Sequence, residues 1–508
     1  MPANSWETKE YTMSGITPPF YPIIYVRGYA MTESEIEATV STPYMGFNLG
    51  ATKTRQDWRG NVIKHIFESP LVRLMKDFGY RDIYLDGKER TDKISSRSVV
   101  IHRYYEQGDA DLGTGKTPSI PEAAEELGEL IVKLREQICG DDEEAKKAFK
   151  VYLVAHSMGG LVCRSFLQNP DISNQEVKNM VDKVFTYATP HNGIEMGGIH
   201  VPKFLSIWDI NNFNRENMAK YLGLPKNSKR VDDLNNTFDP KRFFCLVGTN
   251  HKDYDVAAGL SRTLAGEMSD GLVKIENATV RKAPRAFVYR SHSGPYGIVN
   301  SEEGYQNLIG FLFGNIQVNG ILEVEDLPLP PSVNKAYKKG KKIRASYYFE
   351  STVSPQGSMM YHLTERRKET YSAVLRKFDE LLNVDNIEGL TDPRSPVLFS
   401  VFLDTTRITF GRTLVFSVDI SVSSTEYEID EFLFFDRKIP GEYLFRNTVV
   451  IRATPNADGW KIRYNLADDA WGESRGREAD YDDKGFFIPL KSAKGFSSRL
   501  RLSVDTLQ

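Results

Sequence analysis

The chain has 508 residues, with 65 Lys or Arg against 68 Asp or Glu, a net charge of -3 and an isoelectric point near 6.3. That balance leaves no electrostatic footprint for nucleic acid, and 40% hydrophobic with 26% charged residues excludes disorder over most of the chain. The length asks for two or more domains, while the three cysteines, Cys139, Cys163 and Cys245, make no disulfide framework and fit a reducing compartment.

At the N-terminus, MPANSWETKEYTMSGITPPF offers neither a basic start nor an apolar core of signal-peptide length, and nothing downstream approaches about 18 uninterrupted apolar residues. A cytoplasmic chain is expected, with non-classical export the other route open to it. Short β-branched and aromatic runs predict strands at 22–26, 82–85, 99–104, 151–155, 184–188, 243–247 and 286–289. Apolar residues at three- and four-residue steps predict helices at 62–77, 121–138, 158–168 and 302–312, the last opened by Ser301 as N-cap. Strands alternating with helices of this length imply an α/β unit with a mostly parallel, doubly wound sheet. Functional groups of such a sheet belong at the carboxyl ends of its strands.

One junction points to chemistry. VYLVAHSMGGLV, residues 151–162, runs a buried-strand pattern into a helical one with Ser157 at the corner. Two residues before and after the serine stand Ala155 and Gly159, small enough for a sharp turn, which makes an A-x-S-x-G form of the nucleophile elbow. Such a turn holds a hydroxyl clear of the backbone at a helix N-terminus, where amide N–H groups favour negative charge. A plain strand-to-helix turn with a capping serine is the other reading of the same residues.

An acyl-transferring serine requires a base, a group to orient that base, and N–H donors for the oxyanion. His292 follows the strand at 286–289 in Ser291-His292-Ser293-Gly294, late in the chain as the order Ser, Asp, His requires. Asp270 stands in Ser269-Asp270-Gly271-Leu272-Val273, after the strand at 243–247, where Gly271 favours a tight turn that presents the carboxylate. His191, in Ala188-Thr189-Pro190-His191-Asn192-Gly193, competes for the role of base, and Asp253 and Asp255 compete with Asp270. His156 reads as a packing and hydrogen-bonding residue, because adjacent side chains on a sharp turn point apart. The oxyanion donors expected are the backbone N–H groups of Met158, after the nucleophile, and of Tyr29, after the strand at 22–26. Arg27-Gly28-Tyr29 also suits a plain glycine turn that ends a strand.

With AHSMGGLV around Ser157, ATPHNG at 188–193, SDGLV around Asp270 and the short interval to His292, residues 20–315 resemble the α/β-hydrolase lipases and esterases, in their bacterial-lipase-like branch. The resemblance implies nucleophile Ser157, acid Asp270, base His292 and oxyanion donors Tyr29 and Met158, with no cofactor. Arg27-Gly28 stands where that family usually has His-Gly, so the side-chain anchoring of the loop is where a difference is expected. Many relatives hold a structural calcium ion, and no ligand set for it is matched in this sequence.

Residues 194–240, with Gly197, Gly198, Trp208, Phe213, Met218, Tyr221 and Leu222 among many asparagines, suit a cap or lid over an acyl pocket and equally an irregular connection. Gly113-Thr114-Gly115-Lys116-Thr117 ends like a phosphate loop, but Ala110 stands where the first glycine is required and Pro118 follows where a helix should begin. A proline-rich linker at 324–334 divides the chain into a catalytic unit, 1–323, and an accessory unit, 335–508. Beyond it, strand alternation at 397–402, 414–418, 432–435, 449–451, 486–488 and 500–502, with one helical pattern at 371–382, predicts a C-terminal all-β sandwich-like domain. The basic run at 338–344 reads as a solvated hinge rather than a lipid-binding patch, and the acidic loops at 467–469 and 480–483 as solvated turns rather than calcium ligands.

The function expected is hydrolysis of carboxylic esters, lipid-like ones foremost, through a Ser-His-Asp triad and an acyl-enzyme. The alternatives are a phospholipase acting on target membranes, with transient contact to a lipid surface, and a catalytically silent hydrolase fold kept as a binding module.

Overall fold

The computed structural model describes residues 16–28, 47–48, 50–56, 59–85, 88–89, 92–104, 118–194, 213–253, 268–294, 296–356, 361–382, 392–407, 413–430, 437–456, 459–469 and 476–507. In its N-terminal part, β1 (Ile23–Val26), β2 (Arg81–Asp82), β3 (Ser98–His102), β4 (Val151–His156), β5 (Val181–Tyr187), β6 (Phe243–Gly248) and β7 (Arg285–Val288) form a parallel sheet. Their spatial order is β7-β6-β5-β4-β1-β3-β2. The order reverses beside β1, where Val26 pairs with Ala155 of β4, so the crevice of the switch point opens beyond these two strands.

Every residue of β1 is buried, because helices cover both faces of the sheet. Side chains alternate between the faces. Ile24, Val26, Leu153 and Ala155 join one cluster with α1 (Ile120–Cys139) and α2 (Gly159–Gln168), whereas Ile23, Tyr25, Tyr152 and Val154 join another with α3 (Glu302–Phe313). Helix α1 starts where Ser119 and Glu122 close a capping box with Pro121 in the first turn, and it buries Ala123, Leu127, Ile131, Leu134 and Ile138 along one stripe. Ser301 caps α3 by accepting the Gly304 N–H at 3.1 Å.

The helix expected over 62–77 is instead a strand and a helix. Val62–Phe67 pairs antiparallel with Ala51–Gln56, and a helix begins only at Pro70, behind Ser69, whose hydroxyl accepts the Val72 N–H at 3.1 Å. Apolar residues at 62, 63, 66 and 67 satisfy helical and strand spacing together, and the Ser-Pro step is what divides them. The pattern at 371–382 likewise resolves into the strand Val374–Lys377, in which Val374 pairs with Phe349, and one helical turn, Phe378–Leu382. The strand expected at 432–435 and the phosphate-loop-like run at 113–117 lie outside the described residues.

From Ile316 the pairing turns antiparallel. Ile316–Asp326 lies between Val397–Leu403 and Ser497–Thr506 in a five-stranded sheet, and a seven-stranded sheet is built around Ser346–Pro355, Leu414–Ser424 and Tyr443–Asn456. Leu322, Phe399 and Leu500 of the first sheet share one apolar cluster with Val353, Val418 and Ile451 of the second, the layering of a sandwich. Residues 324–334 hold the end of the strand Ile316–Asp326 and the start of the helix Pro331–Lys338. Arg344, at the end of the basic run, pairs with Glu428 and Asp430. Among the acidic loops, Asp482 takes both oxygens to Arg501 at 2.6 and 2.9 Å and Asp469 pairs with Arg477. Among the described residues no group of His, Cys, Asp and Glu is arranged to hold a metal ion, and no helix is long and apolar enough to cross a membrane.

The C-terminal sheets rest on the parallel unit. Phe402 stands edge-on to Phe244 and Phe311 at centroid distances of 5.6 and 5.0 Å. A Cβ on Gly310 of α3 would lie 2.8 Å from the Phe402 carbonyl oxygen, so the contact is as close as the backbone permits. Thr364 accepts the Phe287 N–H at 3.0 Å, and Asn307 donates to the Leu363 carbonyl at 2.8 Å.

Candidate active site

Strand β4 ends in a turn that places Ser157 at φ +52, a left-handed conformation uncommon for a residue with a Cβ. Its neighbours hold it there. The Ser157 N–H donates to the Tyr187 carbonyl at 2.9 Å, and the Ser157 carbonyl accepts the Thr189 hydroxyl at 2.8 Å and the Gly160 N–H at 3.1 Å. Small residues around the serine are a steric requirement. A Cβ on Gly159 would stand 2.1 Å from the Val26 carbonyl oxygen, one on Gly160 2.2 Å from the Thr189 hydroxyl, and one on Gly28 2.8 Å from the Ser157 Cβ. Thr189, from the ATPHNG stretch, and Gly160 are positioning residues that reading the motif around Ser157 alone does not reveal.

The structure brings the three distant candidates into one line. Asp270 Oδ2 lies 2.9 Å from His292 Nδ1, and His292 Nε2 lies 3.0 Å from Ser157 Oγ. A carboxylate only accepts, so Nδ1 carries the hydrogen and Nε2 presents its lone pair to the serine hydroxyl. Gly271, at φ +101, closes the turn that lets Asp270 Oδ1 accept the N–H groups of Leu272 at 3.0 Å and Val273 at 2.7 Å. At the end of β6, a Cβ on Gly248 would lie 2.8 Å from the Asp270 Cβ, so that glycine makes room for the Asp270 side chain. Both Asp270 and His292 are buried.

His156 proves to be tied to His292. Its Nε2–H donates to the His292 carbonyl at 2.9 Å, while the His292 N–H donates to the Asp270 carbonyl at 2.9 Å, so the imidazole-bearing residue is pinned on both sides of its Cα. Burial, then the neighbouring His292 and Arg27, push the His156 imidazole down to about 3, so it carries no charge beside His292 at neutral pH. The other candidates stand elsewhere. His191 is buried with Nε2 3.0 Å from the Thr186 hydroxyl, and its carbonyl accepts from Arg164, a buried guanidinium that also holds the carbonyls of Val231 and Asp233. Asp253 accepts from the Asn250 side chain at 2.6 Å, and Asp255 lies outside the described residues.

Of the expected oxyanion donors, Met158 caps the N-terminus of α2, and its N–H has no protein acceptor among the described residues. Tyr29 lies outside the described residues. Arg27 is buried, and its carbonyl accepts the Tyr104 hydroxyl at 2.8 Å. Of residues 194–240, Ile194 and those from 213 on are described, and among them Met218, Leu222 and Val231 are fully buried in the cluster shared with α1 and α2.

Burial also depresses His102, down to about 4, and His191, well below the ordinary histidine value. The folded chain therefore binds fewer protons than the unfolded one below the ordinary value of about 6.5, and stability falls as pH drops. Urea titrations should show stability highest above about pH 6.5 and falling as the pH drops toward about 4, because His102, His156 and His191 are held neutral in the fold. Equal stability at pH 7 and pH 5 would contradict their neutral burial.

Residues 110–217 match the PGAP1-like alpha/beta domain family. That stretch contains β4, Ser157 and Met158 and stops short of Asp270 and His292. No curated protein matches the chain significantly. Among solved structures, phospholipase PlaB from Legionella pneumophila is 11% identical, with 79% of this chain and 85% of that one covered and a TM-score of 0.31. A cutinase-like protein from Cryptococcus sp. is 12% identical, with 58% and 96% covered and a TM-score of 0.23. The lin2722 gene product of Listeria innocua is 11% identical, with 57% and 93% covered and a TM-score of 0.24. At TM-scores this low none of the three bears on what the chain does. The parallel sheet and its strand order give the N-terminal part of this chain an α/β-hydrolase-like fold, and within it residues 110–217 are similar to the PGAP1-like alpha/beta domain.

Proposed function

We propose that the protein hydrolyses carboxylic esters, lipid-like ones foremost, with Ser157 as nucleophile, His292 as base, Asp270 as the acid that orients it, and the Met158 and Tyr29 N–H groups as oxyanion donors. The observation that carries this reading is the line from Asp270 Oδ2 through both His292 nitrogens to Ser157 Oγ, in steps of 2.9 and 3.0 Å. His292 Nε2 takes the hydroxyl proton as Oγ attacks the ester carbonyl carbon, and the resulting oxyanion is held by backbone N–H groups at the start of α2. The proton then passes to the leaving alcohol oxygen as the C–O bond breaks, leaving an acyl-enzyme. Water, deprotonated by the same nitrogen, releases the acid and restores the serine. We assign this work to the residues before Ile316 and an accessory role to the antiparallel sheets.

A binding module without activity has no use for a serine held at φ +52 within hydrogen-bonding reach of an oriented imidazole, which favours the enzyme. A fluorophosphonate probe tests the choice. Labelling of the wild type that disappears in Ser157→Ala is the expected result, and a folded wild type that takes no label would favour the silent module.

A further inference from the structure

The ribbon formed by Ala51–Gln56 and Val62–Phe67 is a sheet of its own, separate from the seven parallel strands. On one of its faces Thr52 stands opposite Ile66, Thr54 opposite Lys64 and Gln56 opposite Val62, and all six are exposed. Ile66 is 70% exposed and Val62 60%. One apolar side chain in water needs no explanation, but two on the same strand face with a cation between them ask for one. Among the described residues before Ile316, six large apolar side chains are exposed, and four of them, Val62, Ile66, Val72 and Met75, fall on the ribbon and the helix that follows it.

The charge is as uneven as the hydrophobicity. Within 50–67 the sequence carries Lys53, Arg55, Arg59 and Lys64 against Asp57, on a chain whose net charge is -3, with Lys64 on the exposed face and Lys53, opposite His65, on the other. The opposite face of the ribbon ties it to the candidate site. His65 Nε2 lies 3.4 Å from the Asn300 carbonyl, its ring 5.6 Å from Tyr296, and Arg290 Nη1 lies 3.3 Å from His65 Nδ1. Arg290 stands two residues before His292, and its neighbour Tyr289 is a fifth exposed apolar side chain, at the carboxyl end of β7.

We propose that this ribbon docks the protein on anionic lipid bilayers, with Val62 and Ile66 entering the boundary between headgroups and acyl chains and Lys64, between them, meeting lipid phosphate. Apolar side chains beside cations are what an anionic bilayer surface rewards. Nucleic acid would leave Val62 and Ile66 unused, and a second copy of the chain would set one basic ribbon against another. The inference rests on the proposed ester hydrolysis only for its purpose, delivery of the site to lipid.

The test floats the full-length chain with vesicles of phosphatidylcholine alone and of phosphatidylcholine mixed with phosphatidylglycerol, and measures turnover of a soluble short-chain ester in parallel. Wild type should bind the phosphatidylglycerol vesicles more tightly, and added salt should weaken that binding. The Val62→Ser/Ile66→Ser double variant and Lys64→Glu should each lose roughly tenfold in vesicle affinity while keeping wild-type turnover of the soluble ester. Variants that bind like wild type, or a wild type that binds neither vesicle, overturn the docking inference whatever the ester assay shows. Ribbon-dependent binding without ester turnover would sustain the docking and remove the proposed reaction instead.

Discussion

Ser157→Ala is expected to lower ester turnover by roughly a millionfold, the scale on which loss of an activated serine is felt. The hydroxyl removed has His292 Nε2 as its partner at 3.0 Å, and that nitrogen is left with nothing to deprotonate but water. The Ser157 backbone contacts, to Tyr187, Thr189 and Gly160, are main-chain groups that alanine keeps, so the variant should fold and melt close to wild type. Turnover within tenfold of wild type, in a variant whose melting is unchanged, would mean that another residue attacks the ester.

Asp270→Asn should reduce kcat by roughly ten-thousandfold, because it inverts the imidazole rather than moving it. The asparagine oxygen would stay on the Leu272 and Val273 N–H groups, at the position where Oδ1 now accepts at 3.0 and 2.7 Å. Its NH2 group would then face His292 Nδ1, forcing that nitrogen to accept and placing the hydrogen on Nε2, where no serine proton can be received. Steady-state kinetics on the folded variant reads this directly. A loss of less than tenfold would show that the pinned main chain of His292, held by His156 and Asp270, orients the ring without the carboxylate.

Much of this site is legible in the sequence because sharp turns demand small residues. Gly28 and Gly159 announce close approach, and Gly271 announces a turn of positive φ before any coordinate is known. Most of the parallel strands were equally plain, since burial on both faces writes continuous apolar runs such as Ile23 to Val26, whereas of the run at 82–85 only Asp82 joins the sheet and Tyr84–Leu85 pairs with Lys88–Glu89. What escaped were features set by partners far away in the chain. Nothing in the spacing of His156 reveals that it donates to the carbonyl of residue 292, and Thr189 is bound to Ser157 across 32 positions. The segment 62–77 misled for a different reason. Its apolar residues fit two periods at once, and a local pattern cannot say that Ala51–Gln56 waits as the partner of Val62–Phe67. The strand that begins at Ile316, ahead of the prolines, escaped likewise, because its ladder partners lie some 80 and 180 residues further along.

The edge-to-face cluster of Phe244, Phe311 and Phe402 bears on how the molecule comes apart. Neither half can loosen first without wetting aromatic surface that the other now keeps dry, so heat should undo both in a single calorimetric endotherm. Expression of the early half alone would bare Phe311 and invite precipitation, which makes the whole chain the smallest sensible unit for experiment.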